Sequence, residues 1–276
     1  MRYARVKPKS PTEEVYYHCR STVMNRDFLL GEAEREELVK LMREYEQFCG
    51  VRVLTYCMMP NHFQILLEVP PRPSVRPTAE ELFKKLKGLT STVTSAEKAE
   101  HLIAQFRSAR DPKGERKYLE SFFRRMWDVS EFMKLMKQRF CCWYNKSEGR
   151  KGRLWEDRFK SALVDGDGDA LITAAVDIDL NPVGTGLVDE LEDYRWCGYG
   201  EAKAGGKQAK EAFQFIVKAM TGREEKPAKA LALYRRLLVQ QSKAKRVAPV
   251  ARVARVARVA RVARVARAAR AARVRR

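Results

Sequence analysis

Two β-rich runs separated by three residues restrict this chain more than any other feature. Val51-Arg52-Val53-Leu54-Thr55-Tyr56-Cys57-Met58 is dense in β-branched and apolar residues, and so is His62-Phe63-Gln64-Ile65-Leu66-Leu67-Glu68-Val69. Met59-Pro60-Asn61 between them is a turn, and so short a connection makes antiparallel pairing the simplest topology. The period of two sets His62 and Gln64 on one face and Phe63 and Ile65 on the other. An apolar strand that spends two same-face positions on His and Gln offers that face to chemistry. The same pair also reads as a hydrogen-bonded core histidine beside a polar edge.

The remaining elements follow from spacing. Glu14-Val15-Tyr16-Tyr17-His18-Cys19-Arg20 predicts a first strand. Leu38, Leu41, Met42 and Tyr45 recur at helical spacing between Ala33 and Phe48, and Gly50 stops that helix. Pro70-Pro71-Arg72-Pro73 ends the hairpin. Helices are predicted over 79–89, 96–107, 118–127 and 131–143, with Ser130 capping the last. Residues 153–164 lead into a fourth strand, and a final core helix runs from Asp169 to Leu180. The expected fold class is α+β, a ferredoxin-like antiparallel four-stranded sheet with helices on one face, plus a helical insertion and C-terminal helices. The domain reading is 1–202 for the main unit, with its insertion at about 79–143, then appended helices at 203–243 and a basic tail at 244–276.

Charge points to the partner. The chain carries a formal net charge of +20 over 276 residues, a surplus that suits a polyanion such as nucleic acid. Part of the surplus lies in the tail, a Val-Ala-Arg repeat with about ten arginines and no acid. Each Arg in such a repeat steps about 60° around a helix, so no apolar face forms. The tail reads as a solvated, loosely helical or disordered arm that contacts phosphates without sequence preference, or as a repeat expansion with no selected role. No apolar run approaches the roughly 20 residues a membrane span requires. Six cysteines with no Cys-x-x-Cys pair predict reduced thiols in a cytoplasmic, nucleoid-associated protein.

Four blocks then appear in a fixed order: Tyr56 to Glu68, Gly152-Arg153-Leu154-Trp155-Glu156-Asp157-Arg158-Phe159-Lys160-Ser161, Ile178-Asp179-Leu180-Asn181-Pro182-Val183, and Asp193-Tyr194-Arg195-Trp196-Cys197-Gly198-Tyr199-Gly200. Together they resemble the REP-associated tyrosine transposases, relatives of the single-tyrosine HUH transposases, over about residues 1–202. The resemblance implies a ferredoxin-like domain that holds a divalent metal, Mg²⁺ or Mn²⁺, between two strand histidines and a polar residue of the last core helix. A helix tyrosine would attack a phosphate of single-stranded DNA and become linked to it, the metal polarising that phosphate. It also implies hairpin-bearing single strands as partners, and often a homodimer.

Carried over by position, His62 matches the first metal histidine and Asn181 the helix ligand. Gln64 stands at the second histidine position and Asp177 at the nucleophile position, four residues before Asn181, so that both should share a helix face. Gly184 and Thr185 replace the usual Arg-Ala pair. A Gln oxygen suits a hard cation, though more weakly than imidazole binds softer metals. Asp177 cannot replace a phenol, because an aspartyl phosphodiester is an acyl phosphate that hydrolyses readily. It could instead join a metal cluster. Tyr144, Tyr194 and Tyr199 are substitute nucleophiles or structural residues. Arg153, Trp155, Arg158 and Lys160 are the expected DNA contacts, with Trp155 stacking on an unpaired base or packing. Phe159 and Trp196 divide between the same two roles. Arg124, Arg125, Lys134, Lys137 and Arg139 either track phosphates or form a solvated helical face. His18 either lines the active-site floor or is a hydrogen-bonded strand residue, and His101 reads as surface.

The function expected from these residues is a single-stranded DNA-binding, transposase-like protein whose ancestral reaction is metal-dependent strand cleavage and joining, impaired here by Asp177 and Gln64. The alternative is a catalytically inactive, domesticated protein that binds DNA hairpins or regulates. An RNA-binding module would instead need exposed aromatics paired on central strands, for which Tyr16, Tyr17 and Phe63 are the candidates.

Overall fold

The computed structural model describes residues 13–89 and 93–246. The Val-Ala-Arg repeat from 247 onward lies outside the described residues. Four strands, β1 (Val15–Thr22), β2 (Arg52–Met58), β3 (His62–Val69) and β4 (Lys160–Val164), form one antiparallel sheet in the order β2-β3-β1-β4. Helix α1 (Glu32–Cys49) connects β1 to β2. The long excursion from β3 to β4 carries α2 (Ala79–Lys87), α3 (Val93–Ser108), α4 (Pro112–Phe123) and α5 (Val129–Ser147). After β4 come α6 (Gly168–Asp179), the single turn α7 (Asn181–Gly184), α8 (Gly198–Lys203), α9 (Lys207–Thr221) and α10 (Pro227–Arg246). The strand order and the crossover through α1 are those of a ferredoxin-like sheet, as expected.

The helices cover both faces of that sheet, which corrects the one-face expectation. Tyr17, Cys19, Val53, Phe63, Ile65 and Leu67 are buried against α1 and α5. Their strand neighbours Tyr16, Leu54, Cys57 and Leu66 are buried against α6, α9 and α10. The physical reason is in the composition. Val53-Leu54 and Ile65-Leu66-Leu67 are consecutive apolar pairs and triplets, and a strand apolar on both faces must be covered twice. A bulge between Val53 and Thr55 turns both Leu54 and Thr55 toward α6. Phe213, Ile216 and Tyr234 from the 203–243 segment sit in this second core layer.

Local signals explain most helix ends. Gly50 closes α1 at φ 65°, and its N–H donates to Glu46 O. A side chain there would also press on Trp127, whose Nε1 lies 3.0 Å from the added Cβ. Three helix starts differ from expectation, α3 beginning at Val93 and not at 96. Asp128, not Ser130, caps α5, accepting from the N–H groups of Ser130 and Glu131. Asp111 caps α4 and Pro112 opens it, so that helix begins six residues before the predicted 118 and ends at Phe123.

The segment 196–198 docks on β2 as a short extra strand: Cys57 and Cys197 form an isolated antiparallel bridge, and Met58 N–H donates to Trp196 O at 2.9 Å. Gly198 makes this approach feasible, since a Cβ there would lie 2.2 Å from Thr55 Oγ1. Gly198→Ala is therefore expected to destabilise the fold by about 1–3 kcal/mol, the usual cost of overpacking a core. Chemical denaturation of the variant beside the parent measures it, and an unchanged midpoint would contradict this packing.

Candidate nucleic-acid interface

The site is built where β3 begins and α6 ends. His62 opens β3 with its ring on the α6 side of the sheet. Its Nε2 lies 3.2 Å from Asn181 Nδ2, so the first residue of α7 meets the first residue of β3. Asn61 fixes the other side of the ring. Its Nδ2 donates to Arg26 O at 3.3 Å, which turns its Oδ1 to His62 Nδ1 at 2.7 Å. Nδ1 therefore carries the proton, and Nε2 accepts from Asn181. His62 is only 7% exposed. Burial, with the positive charge of Arg20 second, pushes its pKa down from 6.5 to about 4, so the ring is neutral near pH 7.

Gln64 lies two residues along the same face. Its Oε1 is 2.8 Å from His18 Nε2, a diagonal cross-strand pair. The sequence thus placed His62, Gln64 and Asn181 on one seam, and the structure brings His62 to Asn181 but ties Gln64 to His18. Asp177 is exposed on α6 and is not among the residues that line the adjoining cleft.

That cleft has a volume of about 990 Å³ and opens beside His62. Arg20 from β1, Arg26 from the turn after it, Arg158 from the approach to β4 and Lys160 from its first position supply cationic walls. Glu156 and Asp157 also face it. Arg20, Asn25 and Arg26 were not singled out in the sequence. For Arg20 the signal was available, because it shares the His18 face of β1 by simple alternation. Asn25 and Arg26 both adopt positive φ, at 56° each, which no local pattern announces.

Four DNA-contact residues were expected, and they divide. Arg158 and Lys160 are exposed in the cleft. Arg153 is exposed but sits outside the cleft lining, with Nη2 donating to Glu156 O at 3.3 Å. Trp155 corrects its expectation. It is 8% exposed, its Nε1–H donates to Lys137 O, and its ring meets Phe63 edge-on with centroids 5.3 Å apart. Its ring is occupied in the core and leaves no face for a base. Lys137 is buried beside it, its ammonium donating to Asp157 O at 2.9 Å, and burial lowers its pKa to about 8. Lys137 thereby pins the loop that presents Arg158.

The other candidates are structural. Tyr144, Tyr194 and Tyr199 are buried, and the Tyr194 hydroxyl donates to Met58 O. Trp196 stacks under Arg35, whose guanidinium lies 3.6 Å from the ring centroid. Arg124 and Lys134 pair with Glu120 and Glu131. His101 lies on the surface beside Gln105. Tyr16, Tyr17 and Phe63 are all buried under helices, so they form no exposed platform of the kind an RNA-binding sheet needs.

Of the four motif blocks, the first, Tyr56 to Glu68, falls within a matched family model. Residues 11–108, spanning β1 to α3, match the family model described as Transposase IS200 like. The match includes His18, His62 and Gln64 and stops before Asp177 and Asn181. A solved structure of a REP-associated tyrosine transposase bound to a REP hairpin is similar at 14% identity and a TM-score of 0.46, covering 75% of this chain and 87% of that one. No curated protein matches. Among the described residues no helix is long and apolar enough to cross a membrane.

The His62 pKa has a definite sign in stability. The unfolded ring binds its proton near 6.5 and the folded ring near 4, so between those values the unfolded state holds more protons. This contribution is complete above 6.5 and is lost as pH falls through about 4, by roughly 3 kcal/mol in all. Asp179, raised by burial to about 6, acts in the opposite direction over the same range. The expected result is that His62→Asn flattens the acid limb of the stability–pH curve relative to the parent. Parallel limbs in denaturant titrations from pH 7 to 4 would show that His62 carries no such linkage.

Proposed function

We propose that this chain is a transposase-like protein that binds single-stranded, hairpin-bearing DNA and has lost most of its covalent strand-transfer chemistry. The carrying observation is the contrast within the seam: a cationic cleft stands open beside His62, while the groups that would run the reaction are satisfied by one another. A phosphate in the cleft would meet Arg20, Arg26, Arg158 and Lys160, the residue types that hold nucleic-acid backbones. The domain reading stays part of this proposal: a main unit over 1–202, helices at 203–243 and a basic arm beyond.

The divalent cation implied by the family does not fit these donors. Asn181 meets His62 through its NH₂ group, and the Gln64 oxygen is taken up by His18. The set holds one imidazole where the resembled family has two, and neither of its two amide oxygens is turned toward His62. Among the described residues no three of His, Cys, Asp or Glu are grouped closely enough to hold a metal ion. The one buried carboxylate near the seam, Asp179, is bonded to Thr55, Tyr234 and the Tyr199 N–H instead. We therefore assign no step to a metal here. His62 is neutral, with its proton on Nδ1 and its Nε2 lone pair taken by Asn181, and the cleft arginines orient a phosphate beside it. A phenol at position 177 is what strand transfer would require, and Asp177 does not supply one.

Two experiments test the reading. Arg158→Ala and Lys160→Ala are each expected to weaken binding to a labelled hairpin about equally across sequences and to lower the salt slope of log K by about 1. Unchanged slopes in both would remove the cleft from the interface. In a cleavage assay with Mg²⁺ or Mn²⁺, the parent is expected to yield no covalent protein–DNA adduct. Asp177→Tyr combined with Gln64→His is expected to restore a measurable amount. An adduct formed by the parent would refute the loss of chemistry, and mapping it would name the nucleophile.

A further inference from the structure

We propose that Cys57 and Cys197 are a redox pair, convertible by a small disulfide such as oxidised glutathione into a cross-strand disulfide that fastens the 194–200 segment to β2. The inference is independent of the DNA-binding reading. It begins with backbone geometry. The two residues face each other in an antiparallel bridge, and Met58 N–H donates to Trp196 O at 2.9 Å. A hydrogen bond from the residue after one partner to the residue before the other marks a non-hydrogen-bonded pair. Its Cα atoms stand about 4.5 Å apart with side chains close. A disulfide needs about 4.4–6.8 Å between Cα atoms, a range that includes the spacing characteristic of this pair type.

Both side chains enter the same core layer, against α6 and α9, so they point to one side of the sheet. No other two cysteines share such a placement. Cys19 and Cys49 are buried in the opposite layer. Cys141 and Cys142 are adjacent on α5, a spacing at which helical side chains diverge. Close contact at the pair is reinforced from both sides. The Cys197 thiol donates to Tyr194 O at 3.2 Å and its sulfur accepts from the Gly200 N–H at 3.3 Å, while Gly198 has no room for a Cβ.

Burial and the nearby Asp179 carboxylate raise both thiols well above their ordinary pKa. Thiolate is therefore scarce while the core is closed, and exchange waits on local opening of 194–200, the short segment on the outside of β2. In the opened state the Cys197 thiolate attacks one sulfur of glutathione disulfide and one glutathione thiolate leaves. The Cys57 thiolate then attacks the mixed disulfide at Cys197 and displaces the second. The pair gives up two electrons and two protons, and the reagent becomes two thiols. The product closes a loop that spans the insertion helices, β4 and α6, and so restrains the unfolded chain strongly.

The test uses the full chain, purified reduced and with its exposed thiols alkylated in the native state. It is then equilibrated over a series of oxidised-to-reduced glutathione ratios, with and without mild urea. Non-reducing peptide mapping is expected to find residues 57 and 197 in one linked pair. Oxidation should be faster in urea, and the linked protein should melt higher by more than about 5 °C. Cys57→Ala and Cys197→Ala should each abolish the linked peptide and the shift. Because the mapping is read on the unsubstituted protein, a variant that folds poorly leaves the result intact. Free thiols or only glutathione adducts at 57 and 197, under ratios that fully oxidise an exposed control thiol, would overturn the proposal.

Discussion

The structure turns on one buried carboxylate. Asp179 has no solvent exposure, yet it sits at the last position of α6 between the sheet and the C-terminal helices. Its Oδ2 accepts from the Thr55 hydroxyl at 2.9 Å and from the Tyr234 hydroxyl at 2.7 Å, and its Oδ1 accepts from the Tyr199 N–H at 3.1 Å. Three donors from β2, α10 and α8 thus converge on one residue. Burying a carboxylate is costly, and only such saturation makes it tolerable. The cost still shows, since burial raises the pKa to about 6 against the opposing pull of those hydrogen bonds. The arrangement fixes the end of α6 two residues before Asn181. The contact between Asn181 and His62 is thereby tied to the buried packing around Asp179.

The legible part of the fold was the part with strong local periodicity. The β2–turn–β3 hairpin and α1 came out of alternation and of 3.6-residue spacing. The last core helix was read within a residue of α6. Coverage of both faces was encoded too, in Ile65-Leu66-Leu67 and Tyr16-Tyr17, but consecutive apolar residues do not say which later helix will cover them. Helices beyond 203 read as appendages because nothing local links Tyr234 to Asp179. Only the tertiary structure makes that pair.

The site was legible to the same depth. Period-two geometry placed His62 beside Gln64, while Asn181 and Asp177 were set opposite by the family resemblance, and of those two only Asn181 meets His62. What was hidden were partners set by register. His18 reaches Gln64 only because β1 and β3 pair with His18 opposite Leu66. Trp155 was misread because flanking arginines resemble a base-stacking loop, whereas the bridge from Val23 to Trp155 turns that ring inward. Flanking charge describes a backbone's surroundings and says little about which way one side chain turns.

Electrostatics gives a reason for the seam to favour an anion over a cation. Burial is the larger cause of the depressed His62 pKa, and Arg20 adds to it, so its charge is felt at the imidazole. A field that disfavours one proton on that ring disfavours a divalent ion bound to it more strongly, in proportion to charge. The positions that would have to offset such repulsion are 64 and 181. Here those places hold a carboxamide already bonded to His18 and an amide that meets His62 through its nitrogen. The same field attracts a phosphate. Under the proposed reading, Arg20, Arg26, Arg158 and Lys160 would hold a nucleic-acid backbone whether or not strand transfer survives, because backbone affinity comes from cationic walls while strand transfer also needs a phenol.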